Sequence, residues 1–179
     1  MDRTQLGRVG ELALALYVMV TSDGGLDLFT PVSDDDHVDV TVGKRGGIPA
    51  IAIQVKSSPA VDPDGLVEAT ASYSSGHVRE HPAFLYVVVL MNGVSIDTAW
   101  MVPSKDFNRL CYTVCEHGQD VLEFRAHPDR DDGWAGYRVP ALDLGAHLIA
   151  VIDALTEKIP PDFLDETAGL IVGVRRSRR

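Results

Sequence analysis

The chain has 179 residues, 45% of them hydrophobic and 23% charged, and a mass of 19.4 kDa. This composition excludes a disordered or fibrous chain and predicts a globular domain large enough for a substantial core. The formal net charge of −10 opposes nonspecific adhesion to DNA, because phosphate binding draws on clustered Lys and Arg, but it is compatible with a nucleic-acid enzyme that gathers carboxylates around a metal ion.

The N-terminal segment predicts a helix from residue 4 to about residue 20, capped by Thr4 or Asp2. Its apolar run "LALALYVMV", residues 12–20, has nine residues and is too short to cross a bilayer. Acidic residues offset the arginines around it, so the positive start of a signal peptide is missing. We expect a buried helix in a cytoplasmic protein that does not enter membranes, with a secreted form as the lesser alternative.

Strand patterns follow this helix. Residues 26–32 predict a short strand, and an acidic turn leads into "HVDVTVGKRGGIPAIAIQVKSS", residues 37–58. The second stretch predicts two strands joined by a Gly-rich turn. Residues 62–81 carry a weak helical pattern that their Ser and Gly residues oppose.

The middle of the chain predicts a further pair of strands. Residues 83–91, "AFLYVVVLM", are almost wholly apolar, as in a strand covered on both faces. Asn92-Gly93 turns the chain into a strand over residues 94–103, and Ser104 caps the helix that follows.

The C-terminal part adds a strand near residues 121–126 and a helix from about residue 143 to 158, which Pro160-Pro161 ends. This order of elements predicts an α/β fold with a mixed central sheet flanked by helices. We expect residues 51–56 and 83–91 to form the centre of the sheet.

The hairpin of residues 37–58 has a definable register, because paired residues of antiparallel strands have a constant sum of numbers. One face then consists of aliphatic pairs that a slip of one residue would expose: Val38–Val55, Val40–Ile53 and Val42–Ile51. The opposite face pairs His37–Lys56, Asp39–Gln54 and Thr41–Ala52. We expect Asp39, Gln54 and Lys56 to converge; a solvated polar face is the alternative, weakened because this strand looks internal to the sheet.

Glu11 lies in the apolar first helix, which leaves it little solvent face. A carboxylate in such a helix is seldom buried without a partner. Gly7 and Gly10 would let the helix approach the sheet closely. A metal ion that bridges Glu11 and Asp39 would compensate for the burial of both.

The two cysteines, Cys111 and Cys115, are spaced as on one face of a helix and cannot form a disulfide framework. His117 and His127 lie nearby, but no paired spacing of a zinc site is present. We expect structural or merely incidental thiols, with a zinc site as the lesser alternative.

The first helix and the hairpin resemble the PD-(D/E)XK nuclease superfamily, which has the restriction-endonuclease-like fold. The resemblance rests on "GRVGE" in the helix, "DDDHVD" at the first hairpin strand and "QVK" in the second. The chain is similar to uncharacterised bacterial domains of this superfamily with an Asp followed by a Gln-x-Lys strand. We divide the single domain of residues 1–179 accordingly into a nuclease-like core over about 4–105, a strand and helix extension over about 106–165 and a flexible basic tail over about 166–179.

The resemblance implies a role for each matching residue. Asp39 corresponds to the metal-binding Asp, Gln54 to the second acidic position, Lys56 to the catalytic Lys and Glu11 to a first-helix Glu. With the backbone carbonyl of Val55, these residues would hold Mg2+, or Mn2+, for hydrolysis of DNA phosphodiester bonds. Gln54 departs from the acidic form, since an amide oxygen can ligate Mg2+ but contributes no negative charge.

Other residues are weaker candidates. His37, Ser57 and Tyr73 could contact substrate, the last from the predicted helix that also carries Glu68; ordinary surface or strand-end roles are the alternative. Asp36 could support the metal ligands or belong to a solvated acidic turn.

Two classes of function follow. The first is a Mg2+-dependent deoxyribonuclease, endo- or exonucleolytic, with a role in defence, repair or mobile elements. The second is a catalytically inactive protein that keeps the nuclease fold for binding or regulation. A homodimer would serve either class, because two sites can face opposite strands of a duplex.

Overall fold

The computed structural model describes residues 2–31, 37–47 and 49–158. The α-helices within these residues are α1 (Arg3–Thr21), α2 (Ser104–Leu110) and α3 (Leu144–Thr156). The strands are β1 (Leu26–Phe29), β2 (Val40–Lys44), β3 (Ala50–Ser58), β4 (Val67–Ser74), β5 (Phe84–Asn92), β6 (Ser95–Pro103), β7 (Tyr112–Glu116), β8 (Gln119–Ala126) and β9 (Arg138–Val139).

The central sheet has the strand order β1-β2-β3-β5-β6-β9. Strands β3 and β5 are parallel and the other neighbouring pairs antiparallel, so the sheet is mixed. A second sheet has the order β4-β8-β7. The predicted α/β fold with a mixed central sheet flanked by helices is confirmed, and β3 and β5 lie at its centre as predicted.

The central sheet separates two hydrophobic cores. On one face, Ile51 and Ile53 of β3 pack with apolar side chains of α1 and α3. On the other face, aromatic side chains fill the space between the central sheet, α2 and the second sheet: Tyr86, Trp100, Phe107, Phe124 and Trp134. Successive residues of β5 alternate between the two cores, which is why this strand is apolar throughout.

Residues 67–74 form strand β4, so the helix predicted over residues 62–81 is wrong, and Glu68 and Tyr73 lie on a strand. Val67, Ala71 and Tyr73 are buried while the residues that alternate with them are exposed. This is the two-residue period of a half-buried strand. Pairing with the distant β8 decides the conformation of this segment.

Helix α2 is too short to carry both cysteines. Cys111 follows its last residue and Cys115 lies in β7, so the expectation of a shared helix face is wrong. Ser104 also differs from the prediction, because Pro103 is the N-cap residue. The Ser104 hydroxyl instead accepts from the His81 N–H and donates to the His81 carbonyl, at 2.9 Å each.

Helix α1 begins with Asp2 as N-cap, one of the two predicted caps. The Asp2 carboxylate accepts from the Gln5 N–H at 2.8 Å, and the Gln5 amide oxygen accepts from the Asp2 N–H at 3.1 Å. Leu12, Leu16 and Val20, four residues apart, are 57–69% exposed. The expectation of a buried helix with little solvent face is therefore wrong, since only one side of α1 packs on the sheet.

Helix α3 packs beside α1 and ends at Thr156. The predicted terminator Pro160-Pro161 and the basic tail of residues 166–179 lie outside the described residues. Over the part of the chain that is described, no helix has both the length and the hydropathy that a bilayer crossing requires.

Candidate active site

The predicted hairpin register is confirmed up to a break at Asp39. Val40 lies opposite Ile53, and the pairing continues to Gly43 as predicted. Strand β2 begins at Val40, but the Asp39 N–H donates to the Ile53 carbonyl at 2.9 Å, which shifts the pairing as in a β-bulge. The predicted pairs beyond this point are wrong: Val38–Val55, Asp39–Gln54 and His37–Lys56.

The break attaches the Asp39 side chain to β3. Its Oδ2 accepts the N–H of Val55 at 2.6 Å, a charge-assisted bond that replaces a main-chain ladder bond. Since a strand N–H lies in the plane of the sheet, the carboxylate lies alongside β3 at Val55, the residue between Gln54 and Lys56. Asp39 is half-buried and fixed where the pairing of β2 and β3 ends.

Gln54 is buried, with 4% of its surface exposed. Its Oε1 accepts from the Tyr73 hydroxyl at 2.8 Å, and that hydroxyl lies 2.6 Å from the Tyr86 hydroxyl. Burial raises the pKa of both tyrosines, so this chain of side chains is neutral at physiological pH. An ionised carboxylate in the same place would be costly to bury, which gives a physical reason for an amide.

Helix α1 comes close to β3 at Gly10. A Cβ on Gly10 would overlap the Ser57 side chain and lie 3.5 Å from Val89, so the packing distance requires glycine. The predicted approach is confirmed for Gly10, whereas a Cβ on Gly7 would meet no atom of the described residues within 4 Å beyond its own stretch of helix. The Ser57 hydroxyl oxygen is buried and has no hydrogen-bond partner among the described residues.

Glu11 follows Gly10 and therefore lies near this end of β3. Ser57 is two residues beyond Val55, a distance of about 7 Å along a strand. The Glu11 Oε2 pairs with the Arg8 guanidinium at 2.6 Å, and the side chains are 23% and 58% exposed, respectively. Among the described residues, Glu11 thus forms an ion pair with an arginine of its own helix.

The surroundings of Tyr73 bring further polar groups to the site. The His37 ring lies edge-on to the Tyr73 ring, with centroids 4.9 Å apart. The Arg79 guanidinium lies over the Phe84 ring, 4.7 Å from its centroid. Against the dominant effect of burial, the positive charge of Arg79 lowers the pKa of Tyr73, whereas the charge of Asp39 raises it.

Tyr86 and Arg79 are not among the residues that the sequence pattern singled out. A signal for Tyr86 was present, because it is the one hydroxyl-bearing residue in the apolar run of residues 83–91. No sequence pattern pointed to Arg79.

The oxygen atoms of the candidate residues suit a hard divalent cation. Asp39 and Glu11 offer carboxylates, Gln54 an amide oxygen and Val55 a main-chain carbonyl. A site made of oxygen ligands alone favours Mg2+ or Mn2+ over zinc. Within residues 2–31, 37–47 and 49–158, no group of three or more His, Cys, Asp or Glu is placed to hold a metal. An ion here would depend on neutral oxygens as well as carboxylates. Asp36 lies outside the described residues.

Comparison with known proteins defines the fold further. No protein-family model matches the chain, and no curated protein sequence matches it. The solved structure of a bacterial homing endonuclease, I-Ssp6803I, is similar, with a TM-score of 0.57 at 20% sequence identity over 89% of this chain and 100% of that one. At this identity the likeness is one of fold, and the chain has an architecture that an endonuclease also uses.

Proposed function

We propose that the protein is a nuclease that hydrolyses phosphodiester bonds of DNA with Mg2+ or Mn2+ held by Asp39 and Glu11. The observation that carries the proposal is the Asp39 carboxylate, bound at 2.6 Å to the main chain of β3 between Gln54 and Lys56. The likeness of the fold to that of a homing endonuclease supports the same reading.

The neutral ligands come from β3. The Val55 carbonyl is one, and its N–H already holds Asp39. The Gln54 Oε1 is another, since a carbonyl oxygen has two lone pairs and Tyr73 takes one of them. When bound, the cation polarises the phosphate and lowers the pKa of a coordinated water.

The Arg8–Glu11 ion pair is compatible with this role. At the exposures of these side chains, such a pair contributes about 0–1 kcal/mol. Arg8 can therefore turn into solvent when Glu11 binds a cation.

Lys56 supplies a positive charge from β3 itself. In the register of β3 with β5 it lies opposite Val88, on the same face as Gln54 and Tyr86. We assign to its ammonium group the orientation of the attacking water and the stabilisation of charge on the phosphoryl oxygens. The water oxygen bonds to phosphorus while the bond from phosphorus to the leaving sugar oxygen breaks. The proton lost by the water reaches that oxygen, which leaves a phosphate monoester and a hydroxyl end.

The burial and the hydrogen bond of the neutral Gln54 side chain favour a second candidate function. An amide that is 4% exposed and bonded to Tyr73 adds no charge to a metal site. A protein of this fold without catalysis would bind nucleic acid or a partner protein and would not cleave.

Calorimetric titration with Mg2+ and Mn2+ tests the proposal, together with cleavage assays on single-stranded, duplex and branched DNA and on RNA. Asp39→Asn keeps an acceptor for the Val55 N–H but removes the charge, whereas Asp39→Ala removes both. We expect both variants to lose metal binding and cleavage. Only Asp39→Ala should also lose stability, by about 1–3 kcal/mol, because it leaves the Val55 N–H without its acceptor.

Asp64→Asn, on an exposed loop, is the matched control and should behave like the wild type. Metal uptake by Asp39→Asn equal to that of the wild type would exclude the proposed site. Wild-type protein that binds nucleic acid and metal but cleaves none of the substrates would establish the second candidate instead.

A further inference from the structure

The hydrogen-bond chain Tyr86–Tyr73–Gln54 has one direction that satisfies each hydroxyl proton. Tyr86 is 0% and Tyr73 4% exposed, so both protons require acceptors inside the protein. If Tyr86 donates to Tyr73 and Tyr73 donates to the Gln54 Oε1, each proton is used, at 2.6 and 2.8 Å.

The opposite direction leaves a proton without a good acceptor. Tyr73 would then donate to Tyr86, and the Tyr86 proton would have to find another partner. The Tyr86 ring is stacked on Phe107, with centroids 3.9 Å apart, and lies edge-on to Phe84 at 5.2 Å. Neither ring offers an oxygen, and among the described residues Tyr73 is the hydrogen-bond partner of the Tyr86 hydroxyl, so the chain runs from Tyr86 through Tyr73 to Gln54.

This direction places a requirement on the Gln54 carboxamide. Its two ends differ, since one is an acceptor oxygen and the other an NH2 donor. A flipped amide would place NH2 against the proton of Tyr73. The Tyr73 hydroxyl therefore selects one of two orientations of nearly the same shape.

We propose that Tyr73 is a positioning residue that orients the Gln54 oxygen as a ligand for the divalent cation. The inference rests on the proposed function, in which Gln54 is a ligand. A carboxylate at this position would have two equivalent oxygens and would need no such control. The two tyrosines thus fix the orientation of a buried amide, which has a single oxygen to offer as a ligand.

The affinity for Mn2+ tests the positioning role of Tyr73. Loss of a hydrogen bond to a metal ligand typically costs about 10–100-fold in affinity, and we expect that loss of Mn2+ affinity in Tyr73→Phe. Tyr86→Phe should lose less, because Tyr73 keeps its bond to Gln54. Tyr112→Phe, at an exposed position of β7, is the matched control and should bind Mn2+ like the wild type. A loss in Tyr86→Phe as large as that in Tyr73→Phe would overturn the proposed direction of the chain.

The Gln54→Glu variant distinguishes an orienting role of Tyr73 from a packing role. When Tyr73→Phe is added to Gln54→Glu, it should cost little or no Mn2+ affinity, because the two oxygens of the introduced carboxylate are interchangeable. An equal loss in the Gln54 and Gln54→Glu backgrounds would mean that Tyr73 acts by packing in the aromatic core, and the positioning role would be refuted.

A second readout does not involve the metal. In 15N-labelled protein without added cation, the side-chain NH2 signals of Gln54 should shift in Tyr73→Phe and stay unchanged in Tyr112→Phe. Unchanged signals in Tyr73→Phe would overturn the positioning role whether or not a metal binds. Wild-type protein that takes up no Mn2+ would refute Gln54 as a ligand and the proposed function with it, while shifted signals would still verify the hydrogen-bond chain.

Discussion

Replacing Gly10 with alanine tests the close approach of α1 to β3, on which the position of Glu11 depends. The added Cβ would overlap the Ser57 Oγ and lie 2.8 Å from the Ser57 Cβ, closer than such atoms approach in proteins. Helix and strand must then move apart. Overpacking of this kind typically costs about 1–3 kcal/mol.

Gly7→Ala provides the internal reference, because both glycines lie inside α1 and a Cβ on Gly7 would contact none of the residues that the structure describes within 4 Å, its own stretch of helix aside. Alanine is favoured over glycine in a helix by about 1 kcal/mol, and this gain is common to the two variants. In the difference between them it cancels. We therefore expect Gly10→Ala to be less stable than Gly7→Ala by about 1–3 kcal/mol.

Urea denaturation of both variants gives the difference in the free energy of unfolding, and thermal melts should show about 2–4 °C per kcal/mol for a chain of this size. Adding Ser57→Ala to Gly10→Ala removes the nearest atom but keeps the Cβ, so it should restore part of the loss. Equal stability of the two glycine variants would refute the close approach, and the assignment of Glu11 to the site would then lose its basis. Relief by Ser57→Ala would identify Ser57 as the contact.

Three further outcomes are expected. A thiol reagent at neutral pH should modify the exposed Cys115 and spare the buried Cys111, as mass spectrometry can determine; early modification of Cys111 would contradict its burial. Burial raises the pKa of Cys111 to about 12 in the folded protein. The neutral Cys111 thiol therefore contributes stability that is fully present below the unfolded thiol pKa of about 8.5 and is lost as pH rises through the folded pKa. Over that pH range the free energy of unfolding should fall less steeply in Cys111→Ala than in the wild type. In Gln54→Glu, burial should raise the pKa of the introduced carboxyl, so its stability relative to wild type should fall as pH rises above about 4.3; a pH-independent difference in urea titrations would show that the site is wetter than its burial indicates.

The candidate site was only partly predictable from the sequence. Asp39, Gln54 and Lys56 stood out because polar residues interrupt apolar alternation, and the structure places them at one end of the β2–β3 pairing. The sequence indicates Tyr73 as a candidate, but the helix predicted to carry it is in fact strand β4. Its bond to Gln54 depends on a second sheet that the sequence pattern did not indicate.

Local pattern determined the register of β2 with β3 and the apolar β5, and it narrowed the cap of α1 to Asp2 or Thr4. A period of two with aliphatic residues on one face leaves a single register, and a cap needs only residues three apart. Tertiary structure alone decided the break at Asp39, strand β4 and the exposure of Leu12 and Leu16 on α1. Each of these depends on what packs against a segment from elsewhere in the chain, and the free energy of that pairing or burial exceeds the propensities that a short stretch of sequence expresses.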